Sequence, residues 1–343
     1  MAAKRTKAFV IYRLPGESVT HSILPESNDI VLFDEYQTLT NDSGFVFHPF
    51  VVDDDLPGIF FRSTQTTEAS TELSIELQSL IIEHRQSTSL EEYSSHFTEY
   101  MNAFRRGNIQ KAILSKLKLV EAIDPGKVIP LFYDLCEKYR NAFVYVFHLP
   151  GFATWIGASP ELLLARSGTA YRTISLAGTK LVSESRDWTP KEIVEQQIVS
   201  EYVEAILSDE NLELNVKGPY TAEAGNVAHL KTEFSFEKDE KLINTLIGKL
   251  HPTPAVCGMP KDKARELIQS IESHKREYYT GFLGPHNIQG CSSLYVNLRC
   301  MKITANATQL FVGGGLTNAS DLELEWQETE HKAKTLLSVL EKF

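Results

Sequence analysis

The sequence predicts a body of mixed helices and strands, of either the α/β or the α+β class. From about Leu90 onward, segments with helical spacing of apolar residues alternate with long segments of β-type alternation. Of the 343 residues, 42% are apolar and 23% are charged, which is usual for globular chains and argues against a disordered or fibrous protein. The sequence contains no internal repeat and no low-complexity segment.

The first 92 residues are predicted to form a sheet extension with loops. Their short apolar pieces are separated by polar, Asp-rich turns and are followed by a segment rich in Ser, Thr and Glu. The pieces are Ala8–Tyr12, Ile30–Phe33, Phe45–Val52 and Gly58–Phe61.

The rest of the chain supplies clearer elements. Helical spacing marks Tyr93–Arg106, Lys191–Leu207 and Asp321–Leu340, and Ser320 with Glu323 has the spacing of a capping box before the last helix. Patterns typical of strands mark Lys111–Val120, Phe143–Leu149, Thr154–Ala165, Tyr171–Ala177, Leu294–Ile303 and Gln309–Val312, of which the last two are predicted to form a hairpin.

Charge and cysteine content exclude several classes of function. The formal charge is 34 − 45 = −11, so the chain should repel nucleic acid unless it carries a local basic stripe. The four cysteines include no CxxC pair, which argues against a zinc knuckle, a redox dithiol or a disulfide framework.

The sequence also predicts a cytoplasmic protein without a membrane span. The longest uncharged stretch, Asn141–Pro160, has the pattern of two buried strands joined by a Pro-Gly turn. The apolar run Ala8–Tyr12 near the basic N-terminus is too short for the core of a signal peptide.

Lys111 begins a strand and lies on the strand face that should be buried. On spacing alone, the simpler interpretation is a strand-end ammonium that reaches water. The alternative is a lysine held neutral, because desolvation or a nearby cation can lower the pKa from about 10.4 to roughly 7–8, where the amine can act as a base.

Glu161 lies in an otherwise uncharged strand segment, GASPELLL. If it is buried, it must be paired or have a raised pKa, and a raised pKa makes it a general acid. The alternative, a glutamate on an edge strand facing solvent, is equally compatible with the pattern.

Two predicted helices carry acidic pairs at i,i+3 spacing: Glu192 with Glu195, and Glu325 with Glu328. Lys332 follows Glu328 at i+4, so a surface salt bridge is the default interpretation for one helix alone. Two groups of hard oxygen ligands on separate helices, however, are suited to Mg²⁺.

Glycines and cations suggest a site for a small anionic ligand. Gly178-Thr179 and Gly313-Gly314-Gly315 each follow a predicted strand, and Arg299 and Lys332 add fixed positive charge. Neither glycine run has the pattern of a nucleotide-binding loop, so a ligand bearing carboxylates fits better.

Ten blocks in order resemble the chorismate-utilising enzymes, which include isochorismate synthases, salicylate synthases and the large subunits of anthranilate and aminodeoxychorismate synthases. The resemblance covers about Tyr93–Leu340, and its specificity comes from the order of the blocks. They are QKAILSK, GASPELLL, SLAGTK, KEIVEQQIV, HLKTEF, LHPTPAVCGMPK, REYYTGFLG, LYVNLRCMKI, LFVGGGL and EWQETEHKAK.

The resemblance implies one α+β domain in which two large antiparallel sheets pack together, surrounded by helices, with residues 93–340 as the catalytic core. It also implies that Lys111 is a general base for water, since members that use ammonia generally have glutamine at that position. Glu161 would then be the acid that protonates the departing C4 hydroxyl of chorismate while water attacks C2.

The ligand contacts are implied by the same resemblance. Glu195 and Glu328 would bind Mg²⁺, and Glu192 and Glu325 would reach the ion directly or through water. Contacts to the substrate would come from Gly178, Thr179, His251, Tyr279, Arg299, Gly313, Gly314 and Lys332. The family's usual Glu-His is Glu195-Gln196 here, so one His contact is missing.

The leading expectation is an isochorismate synthase, with menaquinone biosynthesis favoured over siderophore production. The alternatives are a salicylate synthase, which eliminates pyruvate in the same pocket, an amine-transferring large subunit, which Lys111 argues against, and a silent chorismate-binding module. A monomer without an obligatory glutamine amidotransferase subunit is expected. Feedback by tryptophan is not expected, because the LLES-type signature is missing from the chain.

Overall fold

A computed structural model describes residues 7–39, 41–77, 79, 86–224, 227–238 and 242–342; the basic start of the chain, residues 1–6, and part of the Ser/Thr/Glu-rich segment lie outside them. The strands are β1 Phe9–Arg13, β2 His21–Ile23, β3 Ile30–Phe33, β4 Gly44–His48, β5 Gly58–Arg62, β6 Thr67–Glu68, β7 Lys111–Val120, β8 Phe143–Leu149, β9 Ala153–Ser159, β10 Leu162–Ser167, β11 Ala170–Leu181, β12 Asn215–Ala224, β13 Val227–Glu237, β14 Gly258–Met259, β15 Phe282–His286, β16 Cys291–Val296, β17 Cys300–Ile303 and β18 Thr308–Leu316. The helices are α1 Leu90–Arg105, α2 Val128–Lys138, α3 Pro190–Asp209, α4 Ile243–Leu250, α5 Lys261–Ile271 and α6 Leu322–Leu340.

These strands form two nine-stranded antiparallel sheets. The first sheet has the order β14-β7-β18-β17-β9-β8-β1-β2-β6, and the second has the order β12-β13-β11-β10-β16-β15-β4-β5-β3. The predicted α+β fold with two large antiparallel sheets is confirmed. The N-terminal segment contributes strands at one end of each sheet, and the boundary placed at residue 92 stays a prediction.

The two sheets pack face to face over a core rich in aromatic side chains. Phe47 of β4 in the second sheet stacks on Phe147 of β8 in the first, with ring centroids 4.5 Å apart, and on Tyr278 at 4.2 Å. Phe143 of β8 stacks on Tyr295 of β16 at 4.4 Å. Because inward and outward side chains alternate along each strand, the opposite faces of both sheets must also be covered.

Helices cover those outer faces. α2 and α6 pack on the first sheet through a cluster that includes Phe132 and Leu336, whereas α3 and α4 pack on the second through one that includes Val203 and Leu246. α1 and α5 cover the end of the first sheet where β7 lies. With this arrangement, β7 and β18 of the first sheet approach α3, α6 and β11, and the candidate active site lies between them.

Two predicted strands are in fact pairs of shorter strands that cross between the sheets. Thr154–Ala165 was expected to be continuous, but β9 belongs to the first sheet and β10 to the second, with a break at Pro160 and Glu161. Leu294–Ile303 likewise divides into β16 and β17, so the predicted hairpin consists of β17 and β18 alone. Proline cannot donate a ladder hydrogen bond, which explains the first break.

The caps of the two acidic helices also differ from one another. At α3, Thr189 and Glu192 form a capping box, in which Thr189 Oγ1 accepts from the Glu192 amide and the Glu192 carboxylate accepts from the Thr189 amide. At α6, the predicted box of Ser320 and Glu323 is wrong. Asp321 is the cap there and accepts from the amide of Leu324 at 3.1 Å, one residue later than expected.

Candidate active site

A cleft with about 730 Å³ of empty volume lies where the two sheets meet α3 and α6, and we call it the central cleft. It brings together most of the residues singled out from the sequence. Those among its lining are Lys111, Glu161, Gly178, Thr179, Glu195, Tyr279, Arg299, Gly313, Gly314, Glu328 and Lys332.

Lys111 is the first residue of β7, and its side chain is held inside the protein. It is only 1% exposed, so the interpretation as an ammonium that reaches water is wrong. Burial lowers the pKa of Lys111 below its usual value, although the carboxylates of Glu195 and Glu161 favour the charged form. A buried lysine of lowered pKa in a cleft has the properties of a general base.

Glu161 lies at the crossover from β9 to β10 and faces the same cleft. It is 4% exposed, so the alternative of a glutamate facing solvent is wrong. Burial raises the pKa of Glu161 to about 7, and the positive charges of Lys111, Lys332 and Arg299 limit the rise. A carboxyl group with this pKa is substantially protonated at neutral pH and can donate a proton.

Glu192 in the first turn of α3 and Glu195 in the second have different surroundings. Glu195 lines the central cleft, whereas Glu192 does not. The Glu192 carboxylate accepts hydrogen bonds from the Thr189 amide at 2.7 Å and from Arg186 at 2.7 and 2.9 Å. Although burial acts in the opposite direction, these partners hold the pKa of Glu192 below its usual value.

A second cavity of about 1010 Å³, which we call the acidic chamber, adjoins the central cleft and shares Thr179, Glu195 and Glu328 with it. Glu192 and Glu325 also line this chamber. Burial, together with the neighbouring charge of Glu328, raises the pKa of Glu325 to about 7. The four carboxylates predicted from the two helices therefore do converge.

Two lysines approach these carboxylates. Lys191 Nζ lies 3.0 Å from Glu195 Oε1 and 2.6 Å from Glu325 Oε1, and Lys332 Nζ lies 2.7 Å from Glu328 Oε1. Lys332 also donates to the carbonyl of Gly313 at 3.0 Å. Positive side chains thus neutralise the carboxylates on both sides of the chamber.

The donor set fits a hard cation. Among the described residues, Glu195 Oε1 and Glu325 Oε2 are buried oxygens without a hydrogen bond, and carboxylate oxygens are the ligands that Mg²⁺ prefers. In the part of the chain that is described, no three His, Cys, Asp or Glu side chains stand in a ready metal-binding arrangement. Lys191 and Lys332 contact Glu195 Oε1, Glu325 Oε1 and Glu328 Oε1, so a cation bound there would compete with these ammonium groups.

A histidine that the sequence reasoning missed organises the opposite wall of the central cleft. His229 on β13 lies 2.8 Å from the carbonyl of Gly178 through Nδ1 and 2.9 Å from Arg299 Nη2 through Nε2. Burial and the charge of Arg299 lower the pKa of His229 to about 3. A neutral ring that donates through Nδ1 and accepts through Nε2 satisfies both contacts and orients the guanidinium. The signal in the sequence that could have identified His229 is a histidine within the apolar strand pattern VAHL.

Three further residues lie as follows. Tyr279 lines the central cleft, and burial raises its pKa, so its hydroxyl stays a donor. His251 does not line the cleft, contrary to expectation, because its ring packs behind the wall against Phe282 and His48 at 4.9 and 5.5 Å. Gln196 turns toward the second sheet and donates to Ser175 and Thr232, away from the cleft.

The Gly313-Gly314-Gly315 run allows β18 to pass between Lys111 and the acidic helices. A Cβ atom on Gly315 would lie 3.0 Å from Lys111 Cε and 3.3 Å from Glu195 Oε2. Gly178 has a φ of +71°, and a Cβ there would lie 3.2 Å from Glu192 Cβ. Whether the amides of these glycines bind a ligand stays a prediction.

In the described part of the chain, the helices are too short or too polar to cross a bilayer.

Comparisons with known proteins agree with this geometry. The chain is 29% identical to the vibriobactin-specific isochorismate synthase of Vibrio cholerae over 74% of its own length and 67% of that protein. It is 31% identical to the isochorismate synthase EntC of Escherichia coli over 67% of its length and 62% of that protein, so the match leaves out more than a third of EntC.

The fold matches that of MenF, the menaquinone-specific isochorismate synthase from Escherichia coli, with a TM-score of 0.80 and 21% identity over 99% of this chain and 90% of that one. The sequence model described as "Chorismate binding enzyme" matches residues 54–341. The chain therefore belongs to the chorismate-binding enzyme family and is most like its isochorismate synthases.

Proposed function

We propose that the protein is an isochorismate synthase that interconverts chorismate and isochorismate. The observation that carries the proposal is the pairing of Lys111 and Glu161 in one buried cleft, with burial favouring the neutral form of each. A neutral amine and a neutral carboxylic acid are the two protonation states that a base and an acid need at the start of a reaction.

In the forward reaction, Lys111 takes a proton from water as the water oxygen bonds to C2 of the ring. The ring double bonds shift, the C4–O bond breaks, and Glu161 gives its proton to the departing hydroxyl, which leaves as water. One water is consumed and one is released, so the net change is relocation of the hydroxyl group. After the product leaves, the Lys111 ammonium gives its proton to solvent and the Glu161 carboxylate takes one from solvent, which restores both groups.

The substrate is a dicarboxylate, and the cleft offers cations and donors to hold it. Arg299 is oriented by His229, and the hydroxyl of Tyr279 and the ammonium of Lys332 on α6 both lie close to Gly313. Fixed positive charge in a buried cleft binds carboxylates strongly. The proposed carboxylate contacts are Arg299, Tyr279, Lys332 and the amides of Gly178, Thr179, Gly313 and Gly314.

Glu195 and Glu328 would hold Mg²⁺, and Glu192 and Glu325 would reach the ion directly or through water. When bound, the ion would neutralise the ring carboxylate of chorismate. This proposal is supported by the buried carboxylate oxygens that lack hydrogen bonds among the described residues.

The direct test is incubation of the purified protein with chorismate and Mg²⁺, followed by chromatographic separation of the products. Isochorismate without pyruvate is expected. Salicylate fluorescence with an equal amount of pyruvate would instead show the salicylate synthase, which uses the same cleft. Aminated product in the presence of ammonia would show an amine-transferring enzyme, and binding without turnover would show a silent binding module.

For the cellular role, we propose a cytoplasmic monomer without an amidotransferase subunit that supplies menaquinone biosynthesis. The isochorismate synthase MenF of Escherichia coli, whose structure is described as menaquinone-specific, is 30% identical over 68% of this chain and 57% of that protein and supports that pathway. The name of the Vibrio relative gives the siderophore alternative. Deletion of the gene should lower menaquinone and leave siderophore secretion unchanged, and light scattering measures the oligomeric state.

A further inference from the structure

Lys191 occupies an unusual position for a lysine. It is the second residue of α3, in the first helical turn, where the helix dipole disfavours a positive charge. It also precedes Glu195 by four residues, which is the weaker orientation for a helical ion pair. Local helix energetics therefore do not explain why a cation is held here.

The contacts of Lys191 do explain it. Its ammonium lies 3.0 Å from Glu195 on its own helix and 2.6 Å from Glu325 on α6, and the side chain is 23% exposed. Without a cation, the carboxylates of Glu195, Glu325 and Glu328 would repel one another across the acidic chamber. Lys191 thus joins the two helices that carry the proposed metal ligands.

The lysine satisfies these carboxylates only in part. Glu325 Oε2 keeps no hydrogen bond among the described residues, and the geometry of Lys191 toward Glu195 Oε1 is not that of a hydrogen bond. A long flexible stem and partial exposure let the ammonium swing toward solvent. A divalent ion could then take over the carboxylates that the lysine leaves.

We infer that Lys191 is an internal counter-cation, which neutralises Glu195 and Glu325 in the metal-free protein and competes with Mg²⁺ for them. The inference rests on the proposed magnesium site. The Lys191 ammonium makes the metal-free fold more stable. Because the ion must displace this ammonium, the lysine also sets a Mg²⁺ concentration below which the site stays empty of metal.

The test compares Lys191→Gln with Lys180→Gln by calorimetric titration of the metal-free proteins with Mg²⁺. Lys180 lines the same chamber, but its ammonium bonds to the carbonyl of Arg186 and lies over the ring of Trp188 rather than pairing with Glu195 or Glu325. Its loss therefore removes one positive charge from the chamber without removing the contacts that define Lys191. Lys191→Gln should bind Mg²⁺ about tenfold more tightly than the control variant. In EDTA, Lys191→Gln should also unfold at a lower temperature than the control.

Lys191→Arg is a second variant that keeps the charge. Its planar fork should hold two carboxylates more firmly and so weaken Mg²⁺ binding relative to wild type. Mg²⁺ should also increase the labelling of Lys191 by an amine-specific reagent, read by mass spectrometry, because the ammonium moves toward solvent.

Equal affinities in Lys191→Gln and Lys180→Gln, or weaker binding in Lys191→Gln, would overturn the inference. If even Lys191→Gln binds no Mg²⁺, the inference and the proposed metal site are both wrong. Turnover of chorismate by the wild-type protein at saturating Mg²⁺ is a separate measurement. If the role assigned to Lys191 is wrong, the wild-type protein still turns over chorismate. If the wild-type protein does not turn over chorismate, only the proposed function is contradicted.

Discussion

At the scale of single residues, burial decides what Lys111 and Glu161 can do. Both are ordinary charged residues in water, and both are nearly inaccessible here. Desolvation disfavours the charged form of each, so it lowers the pKa of the amine and raises that of the carboxyl. The same physical cause thus gives a base and an acid within one cleft.

Lys111→Ala should reduce turnover of chorismate by about 10²–10⁴-fold, the usual contribution of a general base. Lys116→Gln is the matched control, because Lys116 is also buried on β7 but pairs with Glu330 outside the cleft. Steady-state kinetics should show a large loss for the first variant only. Equal turnover in wild type and Lys111→Ala would remove Lys111 from the mechanism.

Glu161→Gln should change how stability depends on pH. Because the pKa of Glu161 is raised from 4.5 to about 7 in the folded protein, the fold loses stability as pH rises from 4.5 to 7 and does not regain it above 7. The loss amounts to at most about 3 kcal/mol. Gln does not titrate, so the variant should be more stable relative to wild type at pH 8 than at pH 4.5.

Thermal unfolding at the two pH values measures this difference, and turnover of Glu161→Gln should be low at both. A stability difference between variant and wild type that does not change with pH would show that Glu161 keeps an ordinary pKa.

At the scale of elements, β18 needs glycine where it passes Lys111. Gly315→Ala would push a methyl group to 3.0 Å from Lys111 Cε, whereas the same change at Gly314 meets its nearest neighbour at an ordinary 3.4 Å. Turnover should fall at least tenfold in Gly315→Ala, because a displaced base loses its alignment, and much less in Gly314→Ala. The comparison is made at saturating Mg²⁺, because the methyl group of Gly314→Ala would lie 3.4 Å from Glu325 Oε2 beside the proposed metal site. Equal losses under these conditions would indicate that displacement of Lys111 is not the cause.

The cap of α3 should matter for metal binding as well as for stability. Thr189→Ala and Ser89→Ala each remove a side-chain cap, at α3 and α1, and each should lower the free energy of unfolding by about 1 kcal/mol. Only Thr189→Ala loosens the turn that carries Lys191 and precedes Glu195, so only that variant should change the Mg²⁺ dependence of turnover. Denaturant titrations and Mg²⁺ titrations separate the two effects.

The elements themselves were predicted with uneven success. The long helices and the strand beginning at Lys111 follow from strong local periodicity and occur nearly as expected. The crossovers at Pro160 and between β16 and β17 were missed, because an uninterrupted apolar pattern does not tell which sheet a residue joins. Glu161 and Arg299 owe their positions to these two crossovers.

At the scale of the whole molecule, the site lies between parts of the chain that are distant in sequence. The proposed metal ligands lie on α3 and α6, outside the aromatic core that joins the two sheets, so Mg²⁺ should add stability rather than create the fold. The melting temperature should rise with Mg²⁺ concentration, corresponding to about 2.7 kcal/mol at one hundred times Kd. EDTA should reverse the rise without unfolding the protein.

Glu328→Gln is the control for the predicted dependence of the melting temperature on Mg²⁺. It removes a proposed ligand at the edge of the acidic chamber and should abolish most of the Mg²⁺-dependent rise in melting temperature. An equal rise in both proteins would show that the ion stabilises the fold from another place.

The sequence by itself determined the kinds of groups available, the acidic spacing on α3 and α6, and, through the ordered blocks, the family. These features depend on neighbours along the chain or on residue identity. Only the tertiary structure decided that Lys111 and Glu161 are buried, that His229 orients Arg299, that His251 stands behind the wall, and that Lys191 bridges two helices. Burial and charge pairing depend on which distant segments pack together, and local pattern does not contain that information.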